Sequence, residues 1–241
     1  MSTQLTGPVT VVAQGLYDSV ATALHSLGEL TFTNDGRAFR YCEAAGTALV
    51  SGSLYQAVAE NTSDAELAVS ATAIGATTVT TTATVTVTAN EYSNGYLVVS
   101  TTPGIGKVYK IKSHPAASAA VVTITLDDAI EVALTTDSRV TLVSNLYKDV
   151  VIAPTTETGP LAGVAVAPIG ANEFGWLGAG GPQPMLAEGS ITVGIPVVRS
   201  DTTAGAVETI ADGAHELLEH VGIPMVTIAT TDVAMVKMVL H

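Results

Sequence analysis

The chain has 241 residues, a mass of 24.4 kDa and a formal charge of −13, with 9 Lys and Arg against 22 Asp and Glu. High hydrophobicity with sparse charge excludes a disordered chain. So few cations, with 5 % aromatics, argue against a nucleic-acid partner. One cysteine, Cys42, excludes a disulfide scaffold.

Ala, Thr and Val supply 35, 34 and 31 residues. The branched Cβ of Thr and Val suits a pleated strand better than a helix, so the composition predicts a mainly β protein. The opening MSTQLTGPVT has neither a basic n-region nor an apolar h-region, and no secretory signal is expected. Leu30–Thr33 and Ala38–Tyr41 flank Asn34-Asp35-Gly36-Arg37, a strong hairpin signal because Gly takes positive φ without steric cost. Gln56 to Leu67 reads as a short helix interrupted at Thr62 and Ser63. The uncharged run from Leu67 to Asn90 is long enough to span a membrane. Its Thr, Ser and Gly content and its alternation make it strand and loop instead.

Strict alternation follows. In Thr84–Thr88 every second residue is Val, and in Val121–Leu126 the residues Val122, Ile124 and Leu126 share one face. Val108–Ile111 and Arg139–Val143 are two more short strands, separated by turn signals at Asn94-Gly95, Pro103-Gly104 and Asp127-Asp128. Residues 71–149 therefore form a β-sandwich-like unit of five to seven short strands. Beyond it, strands are expected at Val164–Ile169, Glu173–Leu177, Ile191–Val198, Met225–Ile228 and Val233–Leu240. Ala211–Val221 is the best helix, with Asp212 as cap, Ala214, Leu217, Leu218 and Val221 on one face, and Gly222 and Pro224 as stops. Residues 1–70 and 150–241 share a style and are read as one discontinuous β domain, a β-barrel or β-tulip, with 71–149 inserted.

The reactive constellations fail on spacing. His215-Glu216-Leu217-Leu218-Glu219-His220 resembles a zinc-protease helix, but its histidines stand at i and i+5. At 3.6 residues per turn two such rings point about 140° apart. His114 precedes Pro115, which favours an extended loop after a strand. Cys42 has no histidine near it in sequence and reads as a small hydrophobe. Gly178-Ala179-Gly180-Gly181-Pro182 lacks the spacing and the Lys-Ser/Thr of a phosphate cradle; it reads as a bent strand or a close backbone contact. No catalytic residue, metal ligand or cofactor is expected.

Asp35-Gly36-Arg37-Ala38-Phe39-Arg40-Tyr41 and Ala48-Leu49-Val50-Ser51-Gly52-Ser53-Leu54-Tyr55-Gln56 are similar to the opening of head structural proteins of tailed phages. Asn94-Gly95-Tyr96-Leu97-Val98-Val99 and Lys107-Val108-Tyr109-Lys110-Ile111-Lys112-Ser113-His114 resemble the middle of the same proteins. Gly163-Val164-Ala165-Val166-Ala167-Pro168, Gly175-Trp176-Leu177 and Leu186-Ala187-Glu188-Gly189 resemble capsid decoration, or cement, proteins. The resemblance implies a virion protein made in the host cytoplasm. It would bind the capsid exterior through the major capsid protein, as a homotrimer, with no nucleic acid and no membrane. Ser2 to Val12 is then an arm, with Thr3, Leu5, Val9, Val11 and Val12 at the capsid or subunit interface; an ordinary first strand is the competing expectation. The other functions considered are a receptor- or glycan-binding tail or fibre component, with Tyr92, Tyr96 and Tyr109 as its aromatic cluster although Tyr96 and Tyr109 suit core or strand-pair positions better, and, least favoured, a cell-envelope hydrolase.

Overall fold

The computed structural model describes residues 13–82, 84–210, 219–229 and 232–239. The interface residues Thr3, Leu5, Val9, Val11 and Val12 lie outside them, as do residues 211–218 of the helix expected over Ala211–Val221. The protein is mainly β. In chain order the strands are β1 (Leu30–Phe32), β2 (Ala38–Glu43), β3 (Leu54–Gln56), β4 (Leu67–Ala68), β5 (Thr78–Thr80) and β6 (Val85–Val87). They continue as β7 (Tyr96–Val99), β8 (Val108–Ser113), β9 (Ala117–Ala120), β10 (Thr123–Leu126), β11 (Arg139–Val143) and β12 (Val151–Ile152). The last six are β13 (Leu161–Ala165), β14 (Phe174–Leu186), β15 (Val197–Arg199), β16 (Val207–Thr209), β17 (His220–Pro224) and β18 (Val233–Met238).

These strands fall into two compact units. One runs up to Val58 and resumes at Leu146; the other is the continuous stretch Ala59–Asn145 inserted between them. The inserted unit begins a dozen residues before the stretch expected from composition, because Leu67 and Ala68 pair with Val140 and Arg139 of β11.

In the inserted unit six strands form one antiparallel sheet in the order β4-β11-β7-β8-β10-β5. The sheet curls until its ends meet. Val69 bridges Thr81, Ser70 N donates to Thr80 O (2.9 Å) and Thr82 N donates to Ala68 O (2.7 Å). Curling one sheet on itself gives the two facing layers expected of a sandwich without leaving a long edge open. Alternation fills the interior: Val79, Leu97, Ile111, Ile124 and Val140 point inward and are fully buried. Val85 and Val87 of the small β6–β9 pair join the same core.

In the discontinuous unit the order is β12-β3-β13-β14-β18-β17-β15-β16, with β2 also paired to β14 and β1 to β2. This sheet closes too. Leu54 N donates to Gly205 O and Gly205 N to Ala153 O, both at 2.8 Å, so the turn before β16 seals the edge of β3. Glu188 N donates to Val207 O (2.7 Å), joining β16 to the chain just past β14. Leu54, Val164, Met185, Val197, Val207, Val221 and Val236 line the enclosed core.

β14 is the spine of this unit, and its glycines explain how one strand serves two sets of partners. Its first half pairs with β2 and β13, its second half with β18. The register shifts between Gly178 and Gly180. A Cβ on Gly178 would stand 2.5 Å from the Gln183 side chain, and Gly181 has φ +74° with its backbone against Gly36. The glycine-rich run is thus a bend with close backbone contact. Pro182 and Pro184 follow in the same strand. Proline cannot donate to a ladder, so the donors toward β18 come from Gly181, Gln183 and Met185.

One expected helix is replaced, and the described end of the other is strand. Gln56 ends β3, Leu67 begins β4, and between them only Thr62–Asp64 forms a 3₁₀ turn, capped by the Asn61 side chain on Ser63 N. At the end of the other, His220 and Val221 belong to β17, whose Gly222 pairs with Val197 and Met238. At Gln56 a ladder to distant strands outweighs local helix propensity.

A Cβ on Gly222 would lie 2.3 Å from Lys237 O, whereas one on Gly46 meets nothing within 4 Å. Gly222→Ala is expected to cost about 1–3 kcal/mol in denaturant unfolding, and Gly46→Ala to be near neutral.

Candidate docking surfaces

The residue types that carry chemistry are held in structural roles. Cys42 lies within β2, fully buried, and burial pushes its thiol well above the ordinary range. His114 is buried at the end of β8. Its Nε2 accepts from Tyr92 N (3.0 Å) and its Nδ1 stands 3.0 Å from Pro115 O, a pairing that suits the neutral ring protonated at Nδ1. The Tyr92 hydroxyl donates to Asp64 Oδ2 (2.5 Å), and burial together with that carboxylate pushes the phenol up. Arg199 is buried and joins β15 to β3: it donates to Gln56 Oε1 at 3.0 Å and pairs with Glu157 at 2.8 Å. Of the zinc-like sequence, His215 and Glu216 lie outside the described residues. His220 is exposed, and Glu219 Oε2 accepts from Leu161 N (3.1 Å). Among the described residues no group of three or more His, Cys, Asp and Glu could hold a metal ion. No helix among them is long and apolar enough to cross a membrane.

The tyrosine cluster also separates. Tyr92 and Tyr109 are core residues at 3 % and 4 % exposure, while Tyr96 is 43 % exposed. An aromatic platform of all three does not form.

Among the described residues two sheet faces are left uncovered. On the discontinuous unit, the outer side of β3 and β13 is covered by a core containing Ala44, Leu49, Val150 and Ile169. Residues 13–29 contribute Leu16 and Leu27 over Phe39, Tyr41 and Trp176 on the opposite side, and the Tyr41 hydroxyl donates to Gln14 Oε1 (2.7 Å). Among the described residues, none covers the outer side of the second half of β14, with β18 and β17, in this way. Cross-strand neighbours there are Leu186 and Val233, Pro184 and Met235, and Lys237 with Ile223; Met225 N donates to Met235 O. Ile223, Met225, Val233, Met235 and Val239 are each 42–53 % exposed.

On the inserted unit the open face is β11-β7-β8. Val143 pairs with Tyr96, Tyr96 with Lys110, and Val98 with Val108. Val108 is 55 % and Val143 42 % exposed. None of the eight strands of this unit contains Asp or Glu, whereas three strand positions that alternate with the core carry Lys110, Lys112 and Arg139. The carboxylates of the unit sit in its turns. In a chain of charge −13 this face is locally basic.

These features define an all-β protein of two closed sheets, one inserted in the other, each presenting an apolar face to solvent. No protein-family model, curated protein or solved structure matches the chain. The sequence signals that could have found the faces are the exposed half of each alternation: Val233, Met235 and Lys237 in one strand, Val108, Lys110 and Lys112 in the other.

Cys42 in the native protein is expected to resist a thiol reagent that labels it fully after denaturation; rapid native labelling would contradict its burial. Glu188 accepts from the hydroxyls of Ser200 and Thr202, which hold its carboxyl below the ordinary 4.5. A depressed folded value adds stability above the unfolded value and loses it as pH falls through the folded one. The melting-temperature advantage over Glu188→Gln is therefore expected at pH 7 and should vanish as the solution is acidified below 4.5.

Proposed function

We propose that the protein is a structural component of a tailed-phage virion, a decoration protein that binds and stabilises the outside of the head shell through the major capsid protein. The observation that carries this reading is the β11-β7-β8 face of the inserted unit. Its exposed Tyr96, Val108 and Val143, with half-buried Val98 among them, are stiff or compact side chains that lose little rotamer freedom on burial. Its strand-borne charges are all basic, which fits an apolar partner surface edged with carboxylates. The sequence resemblance names the partner class, and the face supplies a contact of suitable chemistry.

The mechanism is mass action. A protein that binds the assembled shell and not its dissociated subunits stabilises the shell by RT ln(1 + [L]/Kd). The charge of −13 keeps free copies soluble until they meet the lattice.

Cryo-electron microscopy of the particle tests the reading. Copies distributed over the shell lattice, with the inserted unit against the capsid protein, are expected. Copies confined to one vertex or to the tail would overturn it. Tyr96→Asp and Val108→Asp together should weaken retention on purified heads by about tenfold or more, with unchanged circular dichroism.

A further inference from the structure

The turn that leads into β7 holds Asn94-Gly95, the one place in the chain where glycine follows asparagine. Asn94 is exposed and has φ +63°, a left-handed conformation that asparagine tolerates better than most side chains. Gly95 is buried, and a Cβ on it would stand 2.2 Å from Val143 O. The turn therefore requires glycine at 95 and suits asparagine at 94. That pairing is also the dipeptide most prone to close on itself, because no Cβ shields the glycine nitrogen from the asparagine carboxamide.

We infer that Asn94 is a site of spontaneous succinimide formation, held shut by the native fold and released when the β7–β8 pair opens. In the reaction Gly95 N attacks Asn94 Cγ. The new N–Cγ bond closes the ring, the Cγ–Nδ2 bond breaks, and the glycine amide proton leaves with Nδ2 as ammonia. Water then opens the ring at either carbonyl, giving aspartate or isoaspartate. To bring Gly95 N against Cγ, the peptide plane between the two residues must turn. The fold holds both polar groups of that peptide: Asn145 Nδ2 donates to Asn94 O and Gly95 N donates to Tyr92 O, each at 3.0 Å. On either side of it, Asn94 N donates to Ile111 O and Ile111 N donates to Gly95 O, both at 2.9 Å. Turning the plane in the native state would break the first two bonds and leave the buried Gly95 N–H without an acceptor. Once β7 and β8 separate, nothing opposes the turn. Isoaspartate also lengthens the main chain by a methylene between the two groups that pair with Ile111, so the product no longer fits that register. A chain that has opened and reacted is marked covalently.

The inference does not rest on the shell reading, because it concerns the free chain. Mass spectrometry of peptides spanning Asn94 reads it, after the purified full chain has stood at mildly alkaline pH in buffer or in urea. In urea Asn94 should convert to a product heavier by one mass unit, while Asn90 and Asn172, also left-handed in the native chain but followed by glutamate, stay amidated. In buffer the conversion should be slower by about tenfold or more, because only the opened population reacts. Asn145→Ala, which frees the Asn94 carbonyl, should speed the reaction in buffer by about fivefold and leave the rate in urea unchanged, with circular dichroism confirming the fold. Equal rates for the wild-type chain in buffer and urea, or no conversion at Asn94 in urea, would overturn the inference. A folded Asn145→Ala variant that reacts no faster than wild type would overturn the clamp on the Asn94 carbonyl.

Discussion

A β-sheet in water must dispose of its edges, and in this protein a few backbone hydrogen bonds do so. Gly205 receives Leu54 N and donates to Ala153 O, tying the turn before β16 to the rim of β3. In the inserted unit, Ser70 and Thr82 donate to Thr80 and Ala68 across the Val69–Thr81 bridge. Without those contacts each sheet would present a row of unpaired N–H and C=O groups, an invitation to unspecific strand addition. With them, the interior is enclosed and alternation alone decides what is inside. Val and Ala then suffice for a core, because a closed sheet needs small side chains packed evenly rather than a few large aromatics.

Closure also determines where the protein can make contact. A closed sheet has no long edge to offer, so any stable partner meets a face. Over β3 and β13 the outer face is already used by the segment around Ala44 to Leu49 and by Ile169, which makes those strands buried on both sides. Among the described residues the remaining half of the sheet and one side of the inserted unit stay uncovered. The strands of the inserted unit carry only basic charges, so its outer face differs in charge from the chain as a whole.

The alternating strands were legible in the sequence because the period of two is a local property. Arg139–Val143 coincides with β11, and Val108–Ile111 and Val233–Leu240 differ from β8 and β18 only at their ends. The turn at Asp35-Gly36 joins β1 to β2, and the run Gly178–Pro182 is indeed bent strand with close backbone contact. What the local pattern could not show is what each strand meets. The helix expected over Gln56–Leu67 fails because Gln56 pairs with Val151 and Leu161, which lie about a hundred residues away. Glu173–Leu177 was read as a short strand, yet β14 runs on to Leu186 because β18, at the far end of the chain, pairs with its second half. Of the tyrosines weighed as a cluster, Tyr109 takes the core position that its strand suggests, opposite Leu97, and Tyr92 is turned inward to Asp64, whereas Tyr96, also expected in a core or strand pair, is exposed. The faces themselves are legible only once the topology says which alternating positions point outward and which of those remain uncovered.

Closure of both sheets is the claim on which the cores and the outer faces rest. Amide hydrogen exchange of the native protein tests it most directly, read at Leu54 and Gly205 in one unit and at Ser70 and Thr82 in the other. The account predicts protection at these four amides comparable to that of neighbouring ladder amides such as Val164 and Leu142. Exchange at the rate of free strand edges, with the ladder interiors still protected, would show two open sheets and contradict it.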